Sequence, residues 1–290
     1  MCEIMLNRIT PFKQIDVFTQ VPFKGNPVAV VLNGDKLPTT EMQQIANWIH
    51  LSETTFVCTP TNSQADYRLR IFTPQNELPF AGHPTIGSAY AVLKSGLTPQ
   101  HGQYLVQECD QGLVRIDITD DGLFLTLPQP EKSPLQAEQV KAFSKALGVS
   151  ASEIHLAETI DVGAVWYTLQ LSSAEQVLAL QPDMSLLSQA IADGVTGVTV
   201  FGQYPENSQT NFEVRSFAPN EGADEDPVCG SGNGCVAAMV RDHQLLKSSE
   251  YVASQGACLG RDGYVSIKFS DDQILLGGFA EVCIDGQLSI

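Results

Sequence analysis

The sequence predicts an α/β chain of the α+β type, built as two similar halves that each wrap a mostly antiparallel sheet around one buried helix. Three observations carry this. Short apolar runs rich in β-branched residues recur throughout, two helical segments are almost uncharged, and one stretch near the middle is rich in proline. At 290 residues the chain is long for one ordinary domain and fits two of about 130 to 150 residues.

The strand candidates come first. They read "QIDVF", "PVAVVL", "TTFVC", "DYRLRIF", "GLVRIDI", "GLFLTL", "VWYTLQL", "VTGVTVF", "NFEVRSF", "GYVSIKF" and "QILLGGFAEV". Turns of the Asp-Gly type, such as Asp121-Gly122 and Asp262-Gly263, predict hairpins and antiparallel pairing. Between the strands, Thr39 to His50 reads as a helix with Thr39 as N-cap, and Ala137 to Gly148 as a helix ending on a C-cap glycine. Two further helices, His83 to Gly96 and Gly230 to His243, open on small residues and carry charge only in their last turns. A helix with so little polar face belongs inside a sheet.

Pro128, Pro130 and Pro134 lie in "LPQPEKSPL", which disfavours regular structure and marks the linker. The boundary is placed there: residues 1–127 form the first domain and 128–290 the second, with the last strand a candidate to rejoin the first. The two halves repeat weakly. "RIFTPQNELPFAGHPTIGSAYAV" aligns with "VRSFAPNEGADEDPVCGSGNGCVAAM", each a strand, Phe-x-Pro, an acidic turn, a proline, a glycine corner and a small-residue helix. Setting Pro79 on Pro227 puts Ala81 on Cys229, Gly82 on Gly230 and His83 on Ser231.

Composition excludes several classes. A net charge of -17, with no basic cluster to offset it, repels a phosphate backbone, so no nucleic-acid partner is expected. No apolar run reaches the length of a membrane span, and the N-terminus lacks the pattern of a secretory leader; a cytoplasmic protein is expected. Seven scattered cysteines without a C-x-x-C pair argue against a disulfide framework and a zinc site, and most are expected to be buried thiols. Trp48 and Trp166 read as core or interface aromatics.

"PVCGSGNG" is no phosphate loop, because no Lys-Ser/Thr follows Gly234 and the spacing of Gly230, Gly232 and Gly234 is not G-x-G-x-x-G. Each glycine corner does open a helix, whose first N–H groups lack intrahelical partners and carry partial positive charge. Two such ends would hold a small carboxylate without arginine. Plain structural turns are the alternative for either corner alone.

Four ordered blocks, "DVFTQVPFKGNPVAVVL", "LSETTFV", "RIFTPQNELPFAGHPTIGSA" and "EDPVCGSGNG", resemble the signatures of the PhzF-like (phenazine biosynthesis-like) isomerase family. That family belongs to the superfamily of diaminopimelate epimerase and proline racemase. The resemblance implies a diaminopimelate epimerase-like fold of two pseudo-symmetric domains with an active site between them. It also implies an isomerase working without a cofactor or metal on a small carboxylate-bearing metabolite, in a biosynthetic setting, and it admits a homodimer.

Residue by residue, the resemblance assigns Glu53 of the "SET" motif as a single acid/base, with His83 and Asp226 lining the site. A carboxyl that both takes and returns a proton needs a pKa near the operating pH, which an apolar enclosure supplies. Asn26, Ser52, Gly82, Cys229, Gly230 and Ser231 are the candidate substrate-binding residues, and Asn76 and Glu77 supporting or turn residues. The two-thiol epimerases of the superfamily need a cysteine in each half. Here Cys229 faces Ala81 in the repeat, so a two-cysteine racemase is not expected. Cys229 stands where the phenazine isomerase type has threonine, and is either a base or nucleophile at a helix start or a buried residue of threonine's volume. Cys235 reads as core. A Cys229-dependent racemase, epimerase or dehydratase and a non-catalytic ligand-binding protein remain alternative readings.

Overall fold

The structure, a computed structural model, describes residues 8–290. Residues 1–7, where Cys2 and the start of the N-terminal reading fall, lie outside the described residues. The chain runs through β1 (Ile9–Val17), β2 (Asn26–Val31), α1 (Thr39–Ile49), β3 (Thr54–Cys58), β4 (Tyr67–Phe72), β5 (Glu77–Leu78), α2 (Gly82–Lys94), β6 (Tyr104–Cys109), β7 (Gly112–Thr119) and β8 (Gly122–Thr126). It continues through β9 (Glu131–Pro134), α3 (Ala137–Leu147), β10 (Leu156–Asp161), β11 (Val165–Gln170), α4 (Ala174–Ala179), α5 (Met184–Ala190), β12 (Gly197–Gln203) and β13 (Phe212–Ala218). The last elements are β14 (Ala223–Asp226), α6 (Gly230–Asp242), β15 (Glu250–Gln255), β16 (Gly263–Ser270), β17 (Gln273–Gly278) and β18 (Ala280–Ser289). None of the described helices is long and apolar enough to cross a membrane.

The described residues form two compact units: unit 1 comprises residues 8–23, 27–125 and 279–290, and unit 2 comprises residues 24–26 and 126–278. In unit 1 the strands pair in the order β18–β1–β2–β3–β4–β6–β7–β8. The pairs β2–β3 and β4–β6 are parallel. Between these parallel partners lie the connections that carry α1 and α2, as a crossover requires. Helix α2 packs on β1, β18, β3 and β4 and buries Ile86, Ala89 and Ala91 completely. It lies so close that a Cβ on Gly87 would meet Val28 Cγ1 at 2.4 Å and Val17 Cγ2 at 2.9 Å, so only glycine fits there. Each Ile or Val side chain taken fully out of water contributes about 1.5 to 3 kcal/mol, which fixes the helix to this face.

Unit 2 repeats the scheme. Its strands pair in the order β9–β10–β11–β12–β13–β15–β16–β17, again with two parallel pairs, β11–β12 and β13–β15. Helix α6 touches β10, β11 and β12 and also β16 and β17, strands from both ends of that order, so the sheet curves round it. Gly232 is its close-approach residue, where a Cβ would stand 2.5 Å from Ser216 Oγ and 2.6 Å from Thr199 Oγ1. A second apolar layer packs α3, α4 and α5 on the other side, through Phe143, Leu147, Val177 and Leu187 against Leu169, Val198, Val200 and Phe217.

The repeat seen in the sequence is therefore a repeat of β4–β5–α2 by β13–β14–α6. Ala81 and Cys229 are the N-caps of the two helices, so the alignment register is that of the structure. Other expectations need correction. The proline stretch does contain a strand, β9, which pairs with β10; it is an edge strand in the described ladder, where proline is tolerated. The N-cap of α1 is Pro38, with Thr39 inside the helix. Asp262-Gly263 ends a longer connection, while Asp121-Gly122 does close the β7–β8 hairpin. "QILLGGFAEV" divides at Phe279 into two strands of different units. Trp166 is buried, but Trp48 is 79% exposed on α1 and is no part of the core. Among the described cysteines only Cys109, Cys229 and Cys235 are buried; Cys258 is exposed.

Candidate active site

In unit 1 the candidate residues gather where α1, β3 and α2 end or begin. Helix α1 stops at His50, whose left-handed backbone (φ 58°) turns the chain, and Glu53 stands immediately before β3. Its backbone carbonyl accepts from the N–H of Ala29. One residue pair further in, Thr55 Oγ1 and Ser88 Oγ lie 2.8 Å apart, and Thr55 also donates to the Ala29 carbonyl. This buried tie joins β3 to α2 and so sets Glu53 against the helix start.

His83 is the second residue of α2. Its Nδ1 lies 3.4 Å from Oε2 of Glu53, with the two side chains 7% and 16% exposed. Burial lowers the His83 pKa to about 4, opposed by a hydrogen bond to the Pro27 backbone, so the ring is neutral at neutral pH. Nε2 is buried without a partner. Pro27 can only accept, which assigns the ring proton to Nδ1 and leaves Nε2 as a lone-pair acceptor. The pair is thus a carboxyl beside a neutral imidazole. Helix α2 starts at Gly82 with no side-chain cap, because its N-cap residue is Ala81. Ser52 is exposed; it does not join this group. Glu77 is engaged by Arg70 at 2.7 Å, and Asn76 closes a turn with Thr73.

Unit 2 gathers Asn26, Asp226, Cys229, Gly230 and Ser231. Asn26 is fully buried and donates from Nδ2 to Asp226 Oδ1 at 2.9 Å and to the Val228 carbonyl at 3.0 Å. The Val228 N–H donates to the same carboxylate oxygen. Burial raises the Asp226 pKa to about 6, against the lowering by the Val228 N–H and the Cys229 thiol, and nearby Glu225 raises it further. Asp224 is exposed, but Glu225 is held by Arg215 in a buried pair, so the acidic run is a built strand.

Cys229 is 4% exposed. Its Sγ accepts from the Gly232 N–H at 3.2 Å, the hydrogen bond a threonine or serine cap would make. Burial, then the Asp226 charge, push the thiol far above its ordinary value, against the helix-start hydrogen bond. The N–H groups of Gly230 and Ser231 remain as the donors of that helix end. Ser231 Oγ accepts from Trp166 Nε1 at 3.0 Å. Cys235 is fully buried in α6.

Three residues of this corner stand outside the sequence-predicted site: Gln255 and Asn233 carry no expectation from the sequence, and Trp166 only that of a core or interface aromatic. Gln255 on β15 accepts from the Cys229 N–H and from Asn233 Nδ2 and donates to the Asp226 carbonyl. Asn233 also donates to the Cys229 carbonyl. Its presence in the first turn of an otherwise small-residue helix was a usable signal, whereas Gln255 sits on a strand that the apolar pattern does not reveal. Trp166 supplies the third, through its indole N–H.

The comparisons with known proteins agree with this architecture. The family model described as "Phenazine biosynthesis-like protein" matches residues 15–286. "Antisense-enhancing sequence 1" of Schizosaccharomyces pombe is 43% identical, over 95% of this chain and 97% of that protein. The "trans-2,3-dihydro-3-hydroxyanthranilate isomerase" of Pseudomonas fluorescens is 33% identical over 88% of each chain. A Bacillus anthracis PhzF-family crystal structure superposes with TM-score 0.86 over 98% of this chain and all of that one, at 22% identity. A hydroxyproline epimerase from Agrobacterium vitis shares the fold, with TM-score 0.62 at 14% identity over 98% of this chain and 93% of that one. With residues 15–286 covered by the family model, this chain belongs to the phenazine biosynthesis-like, or PhzC/PhzF, family of isomerases.

Proposed function

We propose that this isomerase shuttles a proton within a small carboxylate-bearing metabolite, without a cofactor, and that Glu53 is the acid/base. The observation that carries the reading is the 3.4 Å approach of Glu53 Oε2 to Nδ1 of a neutral, buried His83. The Glu53 carboxylate takes a proton from one carbon, the electron pair moves into the adjoining π system, and the resulting carboxylic acid returns the proton to another carbon. No atom is gained or lost. His83, its Nε2 lone pair without a protein partner, accepts a hydrogen bond from a substrate hydroxyl or amine and fixes the position of the reacting carbon. In unit 2, Asp226 and the helix-start donors of Gly230 and Ser231 bind the polar end of a substrate. An uncapped N-terminus at Gly82 supplies N–H donors in unit 1.

This reading favours Glu53 over Cys229, whose thiol is buried, already used as a helix cap, and held protonated. The test is proton NMR in D₂O with a small-carboxylate library that includes the substrate named for the Pseudomonas fluorescens relative. Deuterium entering one compound with wild type, and about 10² to 10⁴-fold more slowly with Glu53→Gln, supports the shuttle. Undiminished exchange by a folded Glu53→Gln protein overturns it.

A further inference from the structure

Unit 2 carries a recess of about 490 Å³ that shares Gln255 with the corner described above but includes none of the acid/base or substrate-binding residues. Its floor is a row across three strands. Glu213 on β13 pairs with Ser254 on β15, and Ser254 with Tyr264 on β16, and cross-strand partners point to the same face. The segment after β12 adds Tyr204 and Thr210 to the wall, and the connection before β16 adds Asp262.

The lining holds two carboxylates and no lysine or arginine. Glu213 is 1% exposed. Its Oε2 accepts from Tyr204 at 2.9 Å and Ser254 at 2.6 Å, but Oε1 is buried without any partner. Arg215, two residues along the strand, favours the Glu213 anion by its charge but makes no hydrogen bond to Oε1: its guanidinium donates to Glu225 and to the carbonyls of Val177 and Leu180. Asp262 is exposed at the rim and accepts from the Tyr264 hydroxyl at 2.7 Å. An orphaned buried acceptor is destabilising by about 1 to 3 kcal/mol, so its presence in a recess points to a missing donor. The recess has the size of a small-molecule site and exceeds that of a bare ion. Two carboxylates are also too few for a divalent-cation cage, and the described residues contain no cluster of three potential metal ligands.

We propose that this recess binds a small organic molecule bearing a protonated amine, whose N–H groups satisfy Glu213 Oε1 and whose charge is balanced by Glu213 and Asp262. Burial raises the Glu213 pKa, against the hydrogen bonds from Ser254 and Tyr204 and the charge of Arg215, and a bound ammonium favours its ionised form. The site uses none of the Glu53 machinery and stands or falls apart from it.

The experiment titrates the full chain with n-butylammonium at neutral pH, followed by amide NMR, with butyrate and n-butanol as matched controls. The expected result is saturable shifts at Glu213, Ser254 and Tyr264 with the ammonium alone, and affinity about tenfold weaker or worse in Glu213→Gln. No saturable shift, shifts centred elsewhere, an equal response to butyrate or butanol, or unchanged affinity in Glu213→Gln each overturns the proposal. Should Glu213→Gln fail to fold, Asp262→Asn reads the same charge dependence from the exposed rim. Affinity that does not fall in that variant overturns the proposal equally.

Discussion

Oε2 of Glu53 lies 3.4 Å from Nδ1 of His83, and the contact is between a carboxyl and a neutral ring. The folded His83 pKa of about 4 lies below its ordinary 6.5. As pH falls, the unfolded chain therefore takes the proton first, so stability is full above about pH 6.5 and is lost on descending to about pH 4. The loss integrates to about 3 kcal/mol. Urea midpoints for wild type and His83→Gln should show wild type falling relative to the variant through that window. A difference that stays constant with pH would mean that the ring is not buried neutral.

Asp226 works in the opposite direction. Its folded pKa, about 6, lies above the ordinary 3.8, so between those values the folded protein holds the proton that the unfolded chain releases. Asp226 thus contributes stability below about pH 4 that disappears as pH rises through 6, with roughly 3 kcal/mol at stake. Asp226→Asn keeps an acceptor for Asn26 and Val228 while removing the charge. Its unfolding midpoint should exceed that of wild type at neutral pH and converge with it near pH 4, while turnover falls. Equal midpoints at neutral pH would sink the assignment of a buried, uncompensated carboxylate.

How much of this was legible depends on how each residue buries its polarity. "TTFVC" is β3 to the residue because its β-branched and aromatic side chains advertise a buried strand, and the corner alignment put Ala81 on Cys229 because both corners keep proline, glycine and small residues in step. β6, β10 and β15 were missed. Their polar residues resemble a surface, yet Gln107 is fully buried with the Tyr67 hydroxyl and Thr85 as partners, and Gln255 with Cys229 and Asn233. A glutamine that is satisfied inside a fold cannot be told from a solvated one by pattern alone. The Glu53 and His83 pairing was legible only through the family resemblance, because the residues lie 30 positions apart and nothing local links them.

The repeat carries an ion pair as well. Glu77 and Glu225 each stand two residues before Pro79 and Pro227, Arg70 and Arg215 each two residues before Phe72 and Phe217, and each pair clamps a β-strand to the short strand that leads into a helix corner. The two differ in burial: side chains are 19% and 25% exposed in the first pair but 6% and 8% in the second. Removing one partner of a buried pair leaves an uncompensated charge, which is destabilising by about 3 to 5 kcal/mol; the more exposed pair stays closer to the roughly 1 kcal/mol of surface pairs. Glu225→Gln should therefore lower the urea midpoint more than Glu77→Gln. The reverse order would show that burial does not govern these pairs.

The thiol of Cys229 supplies the remaining test. A reactive cysteine needs access and a stabilised thiolate, and here the helix-start hydrogen bond that would favour the anion is outweighed by burial and by the Asp226 charge. Iodoacetamide at neutral pH should modify exposed Cys258 and leave Cys229 unmodified, as read by peptide mass spectrometry. Cys229→Ser preserves an acceptor for the Gly232 N–H in slightly less volume. Its stability should drop by no more than about 1 to 2 kcal/mol, with isotope exchange retained within a few-fold. Rapid alkylation of Cys229, or loss of exchange in a Cys229→Ser protein that folds normally, would instead place the sulfur in the chemistry and remove Glu53 as the single acid/base.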